Sequence, residues 1–309
     1  MGKRNLGGKV QKELKKIYRC RFLYLMAAPA IIAVFIFHYK PLYGVQIAFK
    51  DYRSSLGILG SKWVGLEHFK TFISYPYFTR IMWNTLKITL TSLLFFPLPI
   101  IFAIMLNEMR KQGLKRVCQM ITYAPHFVST VVVCTITMLM LNKDSGIINA
   151  LVELLGGERK DYMAMPGAFA WIYALSGVWQ SLGWNSIIYL ASLAGVPQEL
   201  VEAAQIDGAN RLKIIWHVHL PHLKPTIVTL LILQMGSLVS VGFEKTFALQ
   251  NTLNMEASSV ISTYTYQVGL INHEYSYSAA IGLFNNIINI ILIITANKIS
   301  KRVTEVSMW

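Results

Sequence analysis

The chain has 309 residues, of which 54% are hydrophobic and only 14% charged, and its mean hydropathy is +0.45. Soluble domains carry about 25% charged residues, so this composition excludes an ordinary water-soluble enzyme and describes a membrane protein. The formal net charge is +14, from 29 Lys and Arg against 15 Asp and Glu, and the placement of those charges favours anionic lipid over nucleic acid as the partner.

Residues 1–20 carry Lys3, Arg4, Lys9, Lys12, Lys15, Lys16 and Arg19 ahead of the first apolar run. That is long for a cleaved leader and reads as a signal anchor. Leu6, Val10, Leu14 and Ile17 recur there at helical spacing, so the segment is either an amphipathic helix on the cytoplasmic membrane surface or a frayed basic tail. Residues 21–309 read as one membrane domain.

A bilayer core of ~30 Å needs about 20 apolar helical residues. Runs free of Asp, Glu, Lys and Arg predict six transmembrane helices, at about 22–39, 88–106, 117–141, 169–195, 226–242 and 279–297. The runs do not alternate at period two, so helices are expected and barrel strands are not. Pro29, Pro97, Pro99 and Pro125 fall inside them and predict kinks. With the amino terminus in the cytoplasm, inner segments hold roughly twice the Lys and Arg of the outer loops, which places both termini inside. Much of the positive charge is therefore a topology signal. Cys20, Cys118 and Cys134 form neither a disulfide framework nor a zinc pattern.

Between the fourth and fifth spans, residues 196–224 form a long cytoplasmic loop. Residues 199–206 are good helix formers, Gly208 is suited to a left-handed stop, and Pro221 is expected to end a second short helix. The loop contains Glu202-Ala203-Ala204, then Asp207-Gly208, then Val218 and Leu220-Pro221. This pattern resembles the EAA motif of ABC importer permeases, in which such a helix pair rests in a groove on a cytosolic ATPase subunit. The resemblance implies an all-α membrane protein of the type I ABC importer permease fold, in a bacterial cytoplasmic membrane. It also implies that Glu202, Ala203, Ala204, Asp207, Gly208, Leu220 and Pro221 couple to the ATPase. Trp63 to Phe69 followed by Asn84-Thr85-Leu86 is similar to the carbohydrate-uptake class, whose permeases work as heterodimers. Gly183 to Leu190 and Gly242 to Lys245 are similar to permeases for oligosaccharides derived from complex polysaccharides.

The implied assembly has a second permease subunit, two cytosolic ATP-binding subunits, an extracytoplasmic solute-binding protein and an oligosaccharide substrate. This chain has no Gly-x-x-x-x-Gly-Lys-Ser/Thr loop, so ATP and Mg²⁺ are expected on the partner ATPase and no cofactor or catalytic residue on this chain. His217, His219 and His222 lack an accompanying Cys or carboxylate cluster in sequence, and no metal site is expected. A permease for another small polar solute and an ion-coupled secondary transporter are the alternatives; the latter usually needs intramembrane carboxylates, which these spans lack.

Trp179, Gln180, Ser181, Trp184 and Asn185 lie near the middle of the fourth span, where the resemblance places sugar contacts of maltose-type permeases. Aromatic faces and amides suit a sugar, although helix packing is the competing role for such Trp residues. Gln234, Ser237, Ser240 and Glu244 would form one polar stripe on the fifth span, with Glu244 and Lys245 facing an outer vestibule. Ser278, Gly282, Asn285, Asn286 and Asn289 would form another on the sixth. Helix-to-helix adhesion is the competing role for that last stripe.

Overall fold

A computed structural model describes residues 16, 18–304 and 307. The spaced apolar residues Leu6, Val10, Leu14 and Ile17 fall outside the described residues. The chain divides into two compact units, Met1–Glu67 and His68–Trp309.

The first unit is built on helix α1 (Arg21–Phe49), which runs beyond the expected end of the first span. None of its residues from Arg21 to Val34 is buried, as suits a helix apolar on every side. Its turn at Phe35–Tyr39 widens so that the Lys40 N–H bonds the Phe35 carbonyl. Pro41 follows at once, and a widened turn relieves the clash of a proline ring with the preceding turn. A hairpin of β1 (Lys50–Asp51) and β2 (Lys62–Trp63) comes next, antiparallel with Lys50 opposite Trp63. The Phe49 and Trp63 rings stack at 5.6 Å across its end.

The second unit holds α2 (Glu67–Ile73, with Glu67 itself in the first unit), α3 (Phe78–Glu108), α4 (Gln112–Phe127), α5 (Thr130–Leu141), α6 (Ile147–Leu154) and α7 (Phe169–Leu193). These are followed by α8 (Gln198–Ile206), α9 (211–235), α10 (Phe243–Leu249), α11 (261–271) and α12 (Tyr275–Thr304). Among the described residues, α1, α3 and α12 are long and apolar enough to cross a membrane as continuous helices, and α4 with α5 does so as a bent pair. Helices α7 and α9 are long enough at ~1.5 Å per residue but more polar. Three helices, or four with the bent pair, thus meet the length and apolarity needed to cross a membrane among the described residues, and the long elements differ from the six expected spans in three ways.

The second span starts at Phe78, ten residues before the charge-free run, because Arg80 and Lys87 are accommodated within the helix. The Arg80 guanidinium lies over the Tyr77 ring at 4.2 Å. The third span is not one helix: α4 and α5 meet at 104°. Pro125 sits in the tight turn 124–127, Val128 is extended, and Ser129 accepts the Val132 N–H at 3.4 Å to start α5. Such a break inside a membrane requires its freed carbonyls to find donors elsewhere, and Gln180 on α7 donates to the Val128 carbonyl at 3.2 Å.

The fifth span is displaced. Helix α9 begins at 211, continues through Pro221 and ends at Met235, so the helix expected at 226–242 forms only as far as 235 and residues 236–242 are a break. Pro221 does not stop the helix because the turn before it, Ile215–His219, widens until the Leu220 N–H reaches the Ile215 carbonyl. The break is satisfied from α12: Asn289 Oδ1 accepts the Val239 N–H at 3.2 Å, while the Asn289 and Asn285 amides donate to Ser240 Oγ at 2.7 and 3.2 Å. Gln234, Ser237, Ser240 and Glu244 consequently do not share one helical face.

The buried face of α7, including Phe169, Ile172, Ser176, Gly183, Ser186 and Leu193, recurs every three to four residues or twice that. It packs along α3, α4 and α9. At one end Ile100, Ala103, Ile104, Tyr189, Leu193 and Leu223 form a core joining α3, α7 and α9. At the other, Asn84 donates to the Glu256 and Ser259 carbonyls at 2.8 and 3.0 Å, and Thr85 accepts the Ile261 N–H at 3.2 Å. The Asn84-Thr85 pair thus clamps the segment between α10 and α11 onto α3.

Candidate functional site

The loop 196–224 is organised as two helices meeting at a sharp corner. Helix α8 ends where Gly208 adopts φ +77°, with the Ala209 N–H on the Ala204 carbonyl at 2.9 Å and the Gly208 N–H on the Gln205 carbonyl at 3.0 Å. That pair of bonds is the left-handed helix stop glycine favours. Asn210 then caps α9, its Oδ1 accepting the Lys213 N–H at 2.9 Å. Glu202, Ala203, Asp207 and Gly208 are exposed and Ala204 half-buried. Leu200, Ile206, Leu212 and Trp216 are also exposed, Ile206 at 86%. These exposed apolar residues are flanked by the charged Glu202, Asp207, Arg211 and Lys213.

Leu220 and Pro221 lie further along, within α9 and not at a loop end. Beside them is a contact the histidine spacing did not reveal. His219 is 5% exposed, and its Nε2 lies 3.2 Å from Glu108 Oε1 at the end of α3. A carboxylate therefore does accompany this histidine cluster, brought from a distant segment. Among the described residues no group of His, Cys, Asp and Glu is arranged to hold a metal ion.

A cavity of about 690 Å³ lies between α3, α7 and α9, lined by Phe95, Phe96, Tyr173, Trp184, Asn185 and Gln234 among others. Two of the five residues singled out on the fourth span, Trp184 and Asn185, line it. Trp179 is not in its wall: five residues from Trp184, it points about 140° away around the helix, and it is 47% exposed on the side of Trp171 and Leu175. Gln180 is engaged with Val128, and Ser181 is half-buried outside the lining. Trp184 stacks on His126 with ring centroids 4.3 Å apart and meets Phe127 edge-on at 5.8 Å. His126 and Phe127 belong to the bend between α4 and α5, so the bend presents aromatic rings to the cavity's edge.

Lys245 is turned inward. It is 8% exposed, and its Nζ donates to the Tyr173 carbonyl at 2.8 Å while lying 4.6 Å from the Tyr173 ring centre. Its neighbour Glu244 is exposed. Asn285 and Asn289 hold Ser240 as described, and Asn285 Oδ1 is buried and has no hydrogen-bond partner among the described residues. Glu108, Tyr173 and His126 were missed as site residues; each meets a partner remote in sequence, which a search for local motifs does not see, whereas Gln234 stood in the polar stripe expected on the fifth span.

Residues 96–305 match the family model described as binding-protein-dependent transport system inner membrane component. The chain belongs to that family. The permease is 40% identical over 302 residues to the polygalacturonan/rhamnogalacturonan transport system permease protein YteP of Bacillus subtilis strain 168, covering 97% of this chain and 94% of that one. It is 41% identical over 303 residues to protein LplB of the same organism, covering 98% and 95%. Its fold is similar, with TM-score 0.86 and 36% identity over 95% of this chain and 99% of the other, to a chain of a bacterial alginate ABC transporter solved in complex with an alginate pentasaccharide-bound periplasmic protein. The expected membrane class, permease fold and transport role of this chain are those of the family.

Proposed function

We propose that this chain is one of two permease subunits of an ATP-driven importer that moves oligosaccharides across the cytoplasmic membrane. A second permease would complete the pathway, two cytosolic subunits would bind ATP and Mg²⁺, and an extracytoplasmic protein would deliver the sugar. The observation that carries the coupling half of this reading is α8, an exposed helix with apolar Leu200 and Ile206 and acidic Glu202, ended by a left-handed Gly208. Its small alanines permit close approach to an ATPase groove, and Glu202 suits a basic partner. When ATP closes the ATPase dimer, α8 moves with it and the membrane cavity turns outward; hydrolysis and release reset it.

The sugar half rests on the cavity beside Trp184 and Asn185, and on relatives named for polygalacturonan/rhamnogalacturonan transport and for alginate import. An indole face covers the C–H surface of a pyranose and an amide meets its hydroxyls. Gln180, Lys245, Asn285 and Asn289 then support the helices around the path through their bonds to Val128, Tyr173, Val239 and Ser240, whereas Trp179, Ser181 and Glu244 lie outside the cavity's lining. Trp184→Ala is expected to lower uptake by the assembled importer about tenfold, as loss of ~1.4 kcal/mol would, while Trp184→Phe retains much of it. Trp179→Ala should change uptake less than Trp184→Ala. Equal losses in both Ala variants would remove Trp184 from the path.

The same reading fixes orientation, with both termini in the cytoplasm. Single cysteines at Gly57 and Ser259 should react with an impermeant thiol reagent in intact cells, and one at Asn210 only after the membrane is opened. Labelling of the Asn210 site in intact cells would invert the arrangement.

A further inference from the structure

Resting on α8 as the ATPase contact, we infer that the His219–Glu108 pair is a strut that carries α8's movement into α3, making His219 a positioning residue for coupling. Three observations converge on it. First, α8 joins α9 directly through the Gly208–Asn210 corner, made by the left-handed Gly208 and the Asn210 cap on the Lys213 N–H. Second, His219 ends the widened turn Ile215–His219, and its side chain is 6% exposed where it meets Glu108. Third, Glu108 is the last residue of α3, the helix that contributes Ser92, Phe95, Phe96 and Pro99 to the cavity.

The chemistry of the contact is directional. A carboxylate only accepts, so the 3.2 Å approach requires Nε2 to carry the proton and donate it to Oε1. His219 Nδ1 is buried without a partner, so Glu108 is the one hydrogen-bonding partner the described residues offer this ring. The carboxylate also sits at a helix C-terminus, where the unpaired carbonyls disfavour negative charge and a donor is most needed. Around the pair, Leu223 is fully buried and Ile215, Leu220, Ile100 and Ile104 pack in the same core. Apolar packing slides; a single directional bond in an apolar setting has one favoured register. α9 and α3 therefore move together or break the bond.

The test uses the complete importer with its binding protein, freed of native cysteines, with Asn185→Cys as a reporter in the cavity. The rate of labelling by an impermeant maleimide from outside is compared without nucleotide and after trapping with ATP and vanadate. Trapping is expected to speed labelling severalfold in the parent. His219→Gln, which keeps an N–H within reach of Glu108, should preserve that change. His219→Leu should lose most of it while the complex still assembles. If the complex with Leu does not assemble, the double variant His219→Leu with Glu108→Leu leaves neither group of the pair without its partner and is read in its place. An unchanged response in the Leu variants, or equal losses with Gln and Leu, would overturn the strut. Glu202→Lys separates the two ideas: if it leaves ATPase association and the labelling change intact, α8 is not the ATPase contact and the strut falls with it.

Discussion

Valine in place of Gly208 is expected to lower ATPase stimulation by the sugar-loaded binding protein about tenfold, with the permease still reaching the membrane. The left-handed conformation at φ +77° costs a side-chain-bearing residue ~1–2 kcal/mol, and a β-branched one more, and 1.4 kcal/mol is a factor of ten. Space is not the obstacle, since a Cβ at this position would meet nothing within 4 Å. Gly208→Asn, which tolerates the left-handed region, should therefore stay near the parent. Glu202→Lys reverses a charge on the same surface and should weaken ATPase association in a salt-dependent way. Stimulation that persists in both Gly208→Val and Glu202→Lys would remove this loop from coupling.

A large structural effect is expected at Gly183. A Cβ there would fall 2.6 Å from the Thr122 carbonyl carbon, against the Thr122 oxygen, and 2.7 Å from the Tyr123 ring. The obstacle is α4 backbone, which cannot swing aside as a flexible side chain would. Overpacking of a tight contact costs ~1–3 kcal/mol and more where backbone must move. Gly183→Ala should sharply reduce the amount of extractable complex and lower its melting temperature. Gly113→Ala supplies the contrast, because Gly113 is an exposed position in α4 with nothing near its Cβ and alanine favours a helix by about 1 kcal/mol. Equal stability of the two variants would contradict the close approach of α7 to α4.

These residues also mark what the amino-acid sequence disclosed. Gly208 and the helix before it were legible because a helix stop is local chemistry: its residues, carbonyls and φ lie within a few positions. The sixth span was legible because α12 is one unbroken apolar helix. The bends were not, because their stability comes from elsewhere. Gln180 satisfies Val128, and Asn289 satisfies Val239, across intervals that no window spans. A charge-free run measures only apolar length, so it missed the start of α3, where Arg80 lies against Tyr77, and it drew one helix through the corner between α4 and α5. The same limit hid Glu108 beside His219. Among the candidate path residues, Trp184 and Asn185 were separable from Trp179 only once the faces of α7 were fixed by packing.

The central claim is ATP-driven, binding-protein-dependent uptake of oligosaccharides. Its most direct test is uptake by proteoliposomes holding the complete importer, offered oligosaccharides prepared from pectin and from alginate and read by mass spectrometry of the lumen. An oligosaccharide should accumulate only with ATP and Mg²⁺ on the ATPase side and the binding protein on the other, and Glu202→Lys should abolish most of that accumulation. Accumulation that needs no ATP and follows an imposed ion gradient, or a complete importer that accumulates no oligosaccharide from either source, would contradict it.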